Sequence, residues 1–303
     1  MGDKMKEWIL NLFSWSLGFF DSSISDAIGI LTGNSFNVLT TAQQVSGVFT
    51  TVCTTILGIC VLSEIAVYST RVDTMRWEHA VKIGVKIAFA KACCDNVQSL
   101  ITSIYKQSQA WATNIGSFTG ASGSAPKTIS DAKDRLDAMI PSMTDNLSGL
   151  GMLIGFFLTT IVVILAVIAC SIMIKVMAYG RIFEVLAYVI ISPVPCAFLP
   201  LTGTSEFGIN SITKSFFKSY IGVCMQGVVM MVCLRVFDLL VTSSLYKTLN
   251  QLYVDVVMDG KALGVTATIA HISDAMWLMV MGSVALVIAV SKSGSWAKSM
   301  MGA

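Results

Sequence analysis

Charge is what this sequence has least of. Only 13% of its 303 residues are Asp, Glu, Lys or Arg, where soluble domains carry about 25%. None occurs from Ala27 to Ser63, from Asn146 to Ile174, from Val185 to Ser205 or from Ala275 to Ser291. With 54% hydrophobic residues and a mean hydropathy of +0.74, the chain cannot clothe an ordinary water-facing surface. A net charge of +2 is too small to support binding of nucleic acid along a basic face. Histidine is nearly absent (His79 and His271), and none of the eight cysteines forms a CxxC pair. A zinc site therefore has no ligand set, and neither metal nor cofactor is expected. The cysteines fall inside apolar segments, where free thiols act as small hydrophobic side chains. Phosphate-loop, HExxH and GxSxG motifs are missing too. His271 and Asp274 sit at a helix entrance without a nucleophile, so no catalytic residue is named and a non-enzymatic protein is expected. Lys4 and Lys6 precede neither an unbroken apolar run nor a small-residue cleavage pattern, so no removable signal peptide is expected.

What is present is apolar sequence of membrane-crossing length. A bilayer core of about 30 Å is spanned by about 20 helical residues, and Asn146 to Ile174 passes that test easily. The pattern predicts an all-α, polytopic transmembrane protein of about five to six spans, preceded by an interfacial amphipathic helix. Residues 1–36 hold that helix: Met5, Trp8, Ile9, Leu12, Phe13 and Phe20 fall near one side, and Glu7, Asn11, Ser14 and Gly18 on the other. Residues 37–110 hold a first helix pair, Gly47 to Tyr68 and Trp77 to Tyr105. In the second of these, Glu78, Lys82 and Lys86 form a charged stripe; it either spans from near Val85 or lies partly at the surface. Residues 111–147 form a polar insertion, with a flexible Gly120–Ser124 stretch and a short polar helix ended by Pro141. Residues 148–291 form the transmembrane core, in segments near Leu147–Met177, Ile182–Leu201, Phe216–Tyr246 and Ala270–Val290. Residues 292–303 are a basic tail with Lys292 and Lys298.

Proline is scarce, and its placement is informative. Three of the five prolines fall between residues 193 and 200. Each removes a backbone donor and fixes φ, so the end of that helix should break at Ser192-Pro193-Val194-Pro195. Freed carbonyls at membrane depth need protein or water partners, which makes Pro193 and Pro195 candidate functional positions.

The few intramembrane polar residues are the other candidates, since each costs about 2.5–3.5 kcal/mol to insert. Arg235 and Asp238, at i and i+3, can pair on one helix face, with Gln226 earlier on a similar direction. The group is either the lining of a water-filled passage or subunit contact, or a self-neutralising pair that locks packing. Glu64 either reaches Arg71 or snorkels to water. Gly151 and Gly155 make a GxxxG step. Lys175 and Arg181, with Arg71 and Arg76, mark helix ends on the cytoplasmic side, which puts the polar insertion outside the cytoplasm.

The order of segments is similar to that of a known family. An amphipathic start, a helix pair, a polar insertion and a long apolar helix ending in the basic turn Lys175-Val-Met-Ala-Tyr-Gly-Arg181 come in sequence. A helix finishing in SPVP and one of mixed polarity follow. From Gly47 to Val290 the chain resembles the TrbL family, the polytopic inner-membrane subunit of type IV secretion and conjugation systems (the sixth VirB subunit). The resemblance implies a homo-oligomeric ring in the bacterial cytoplasmic membrane that helps pass DNA–protein substrates. The implied partners are a VirB4-like ATPase, other secretion membrane subunits and membrane lipids. The competing reading is a secondary solute transporter with its site at the broken helix near Pro193.

Overall fold

The computed structural model describes residues 2–32, 36–69, 77–117, 150–199, 211–254 and 265–302, and the single residue Asp134. Every element among them is helical. In chain order these are α1 (Gly2–Thr32), α2 (Phe36–Ser69), α3 (Trp77–Gly116), α4 (Leu150–Ile191), the short α5 (Pro193–Ala197), α6 (Ser211–Phe237), a π-turn (Asp238–Thr242), α7 (Ser243–Tyr253) and α8 (Val265–Met301). Among the described residues, four stretches of helix are long and apolar enough to cross a membrane: 42–66, 155–197, 212–251 and 270–301.

Several of the long helices bury one narrow seam. In α1 it runs Phe13, Leu17, Phe20, Ile24, Ala27; in α3, Ala90, Cys94, Val97, Ile101, Tyr105, Ser108, Ala112; in α8, Ile272, Met276, Met279, Ser283, Leu286, Val290. Steps of three and four residues keep such a stripe on one face of a 3.6-residue helix. Outside the seams the surface stays apolar. Leu158, Val162, Leu165, Ile172, Met173, Val176 and Phe183 of α4 are all exposed. Contiguous exposed apolar patches of this kind mark surfaces made for lipid or protein rather than water.

Hydroxyl groups inside the seams are satisfied by their own helices. Ser16 donates to the Phe13 carbonyl, Ser171 to Val167, Ser283 to Val280 and Ser293 to Val290, at 2.6–2.9 Å. Such back-bonding lets a small polar side chain sit against a neighbouring helix without asking it for a partner.

The sequence reading changes in four places, the first being that α3 runs on to Gly116, past Tyr105 and into the stretch expected as a polar insertion. The segments expected near Leu147–Met177 and Ile182–Leu201 share one helix, because α4 runs unbroken for 42 residues through Lys175 and Arg181. At 1.5 Å per residue it is about 63 Å long, roughly twice a hydrocarbon core. Its basic residues do not end it because carboxylates offset them: Arg181 pairs with Glu184 at 2.9 Å, one turn on, and Lys175 with Asp26 of α1 at 2.8 Å. In α1, Ser14 lies on the buried side rather than the polar one. The residues 292–301 continue α8 as helix.

The chain forms two compact units. The first comprises residues 1–30, 113–178 and 230–293. In it α1 is held by Trp8 against Phe157 (5.8 Å between ring centroids), by Phe20 against Phe237 (5.6 Å) and by the Asp26–Lys175 pair, whose ammonium also lies 5.5 Å from the Phe19 ring. The second comprises residues 31–112, 179–229 and 294–303. Its core gathers Leu57, Val97, Ile101, Val189, Cys196 and the fully buried Tyr220.

Candidate functional site

The proline break is built within the second unit, and its chemistry starts from donors that proline lacks. Pro193 has no N–H to offer the carbonyl four residues back, that of Val189. The adjacent Ser192 hydroxyl fills that role, donating to the Val189 oxygen at 2.8 Å. The break therefore stays nearly straight: Ser192 keeps helical angles (φ −51, ψ −32) and α5 starts with proline at its first position, where the missing donor costs nothing.

The carbonyls of the break are met by other helices. The Cys53 thiol of α2 donates to the Pro193 oxygen at 3.0 Å, and the Thr213 hydroxyl of α6 donates to the Pro195 oxygen at 2.7 Å. Below them, Tyr220 of α6 donates its buried hydroxyl to the Ile101 carbonyl of α3 at 2.8 Å. Gln43 of α2 donates to Thr102 of α3 at 2.7 Å, and Gln98 reaches Ser46. Pro193, Pro195, Cys196 and Ala197 are buried. A cavity of about 290 Å³ lies beside them, lined by Phe89, Cys93, Val97, Cys196, Leu199 and Phe217 among others.

Elsewhere the predicted residues are placed as follows. Arg235 and Asp238 meet in the first unit, Nη1 to Oδ2 at 3.3 Å, with both side chains largely covered (27% and 18% exposed). The pair straddles the point where α6 gives way to the π-turn beginning at Asp238, an irregularity common at functional positions. Gln226 is not part of that pair. It belongs to the second unit, is fully buried, and its Nε2 has no hydrogen-bond partner among the described residues. It packs on Gly294 of α8, where an added Cβ would come within 2.9 Å of Gln226 Cδ. Glu64 is half-buried in α2, while Arg71 and the Gly120–Ser124 stretch lie outside the described residues. Gly155 of the GxxxG step is not at a close helix approach, since a Cβ added there would meet nothing within 4 Å. Among the described residues no three His, Cys, Asp or Glu side chains could hold a metal.

Sequence reasoning missed Cys53, Thr213 and Gly294. Nothing local marks the first two, because their partners lie 140 and 18 residues away. Gly294 did carry a signal: glycine inside a long helix costs about 1 kcal/mol against alanine, and here it makes room for Gln226.

A family model described as TrbL/VirB6 plasmid conjugal transfer like protein matches residues 24–193, more than half of the chain. The match runs from α1 through the whole of α4 to Pro193. The chain belongs to the TrbL/VirB6-like conjugal transfer family. No curated protein and no solved structure matches it. Family membership, with four helical stretches able to cross a bilayer, makes this TrbL/VirB6-like chain a membrane component of a conjugal transfer system.

Proposed function

We propose that this TrbL/VirB6-like protein is a channel or scaffold subunit of a type IV secretion machine in the bacterial cytoplasmic membrane. On this reading it forms a homo-oligomeric ring and assists passage of a DNA–protein substrate. It is not an enzyme; a VirB4-like ATPase supplies the energy and other secretion subunits flank it. The observation that carries the reading is the family match over 24–193. The exposed apolar faces of α4 and α8 support it, since they offer more surface than one chain can cover.

The break gives less support to a solute transporter with its site near Pro193. A broken membrane helix serves a substrate by leaving backbone groups open to it. Here the Val189, Pro193 and Pro195 oxygens are all taken by protein donors.

Deleting the gene from its conjugative element and restoring it in trans tests the role. Transfer should fall to background and return, while a deletion that leaves transfer intact overturns the proposal. Mass measurement of the protein in lipid discs should give a multiple of the 32.5 kDa chain; a strict monomer rules out the ring. A cysteine placed in the Gly120–Ser124 stretch should react with an impermeant thiol reagent in intact cells. Reaction only after lysis reverses the orientation.

A further inference from the structure

The break contains a feature that transfer alone does not call for. Cys53 of α2 and Cys94 of α3 are both buried, and their sulfurs lie 3.0 Å apart. The same Cys53 thiol is 3.0 Å from the Pro193 oxygen. A thiol has one proton. With Cys53 donating to Pro193, the pair is completed by Cys94 donating to the Cys53 sulfur. We propose that Cys53 and Cys94 form a reversible disulfide site whose redox state sets whether the Pro193 carbonyl has a side-chain donor from α2.

The geometry favours this pair over the other cysteines. Bringing the sulfurs from 3.0 Å to a bonded separation of about 2.05 Å needs a shift of only about 1 Å. Cys93 and Cys196 line the neighbouring cavity, whereas the Cys53 and Cys94 sulfurs are already in hydrogen-bond contact. The thiols are buried between apolar helices, one of which, α2, is of membrane-crossing character, so the oxidant has to be membrane-soluble. A quinone fits: the two thiols give up two protons and two electrons, the S–S bond forms, and the quinone leaves as quinol. A small diazene does the same chemistry and becomes the hydrazine.

Oxidation has two consequences, one on each side of Cys53. The disulfide ties α2 to α3. It also removes the proton that Cys53 lends to the Pro193 oxygen, so this buried carbonyl, the first of α5, keeps only the backbone bond of that short helix. The oxidised state therefore clamps the helix pair while loosening α5. Reduction reverses both.

The test uses the full chain in membranes, treated with diamide and then alkylated and mapped by mass. Reduced protein should show all eight thiols alkylated. After diamide, the peptides carrying Cys53 and Cys94 should be joined, lighter by two hydrogens and restored by a reductant. Failure to join them, a Cys93–Cys196 link instead, or links only between chains overturns the proposal. Hydrogen exchange then reads the carbonyl. Amides in peptides covering residues 190–199 should exchange about tenfold faster after oxidation. Cys53→Ala should show the faster exchange without oxidant; Cys53→Ser, whose hydroxyl still donates, should not. Equal exchange in oxidised and reduced wild-type protein refutes the link to Pro193, and that comparison needs no variant to fold.

Discussion

At the scale of single residues, the structure separates two kinds of buried hydroxyl. Ser171 donates only to its own helix, to a carbonyl already within the α4 ladder. Thr213 reaches across to the Pro195 carbonyl. Ser171→Ala should therefore change stability by less than about 0.5 kcal/mol, while Thr213→Val should cost about 1–3 kcal/mol by stranding a buried acceptor. Thermal unfolding in a mild detergent compares the two, and equal losses would show that the Pro195 oxygen finds another donor. Gly294 gives a second contrast. A Cβ there runs into Gln226, so Gly294→Ala should destabilise by about 1–3 kcal/mol, the usual cost of overpacking. Gly155→Ala meets nothing within 4 Å and should be tolerated. The unpartnered Gln226 amide adds to the first effect, because a buried polar group held in place cannot move toward water. Residue identity alone disclosed the Arg235–Asp238 pair, since i and i+3 on one helix are neighbours by construction. It could not disclose Cys53 with Pro193 or Gln226 with Gly294, whose proximity is made by packing.

Among the elements, the apolar stretches were legible because membrane crossing is a matter of length and hydropathy. The division of α4 was not. Lys175 and Arg181 look like the end of a span, yet helical geometry supplies Glu184 to one and packing supplies Asp26 to the other. The position of the break was read correctly from Pro193, but not how its carbonyls are satisfied. Replacing Pro193 and Pro195 together by Ala returns two backbone donors and joins α4 to α5 as one continuous helix. Transfer frequency should fall further in that variant than in one carrying Val162→Ala and Val176→Ala on the exposed face of α4. Unchanged transfer would mean that the break has no part in function. For the π-turn, a double-mutant cycle on Arg235→Ala and Asp238→Asn should return a coupling of about 1 kcal/mol. A coupling near zero would assign the two charges to separate partners.

For the molecule as a whole, the membrane-length helices leave many large apolar side chains exposed among the described residues, which only a lipid or protein environment makes tolerable. Trp277 of α8 is half exposed within the 270–301 stretch. In a variant that keeps Trp277 as its sole tryptophan, brominated acyl chains should quench its fluorescence strongly; emission indifferent to bromine would turn that face toward protein. The two units differ in how their helices are joined. The second has hydrogen bonds between helices at Gln43–Thr102, Gln98–Ser46, Tyr220–Ile101 and Thr213–Pro195. The first joins α1 to α4 by the Asp26–Lys175 ion pair, while its seam hydroxyls turn back on their own backbones and Thr160 adds a 3.9 Å contact to the Met276 sulfur. A seam of that second kind behaves as a bearing surface. A helix there can advance by one turn, about 5.4 Å, and every serine carries its hydrogen bond along with it. At those serines only dispersion contacts are exchanged between helices. What holds α1 in register against α4 is the ion pair Asp26–Lys175, so the charge pair, not the seam, acts as the latch.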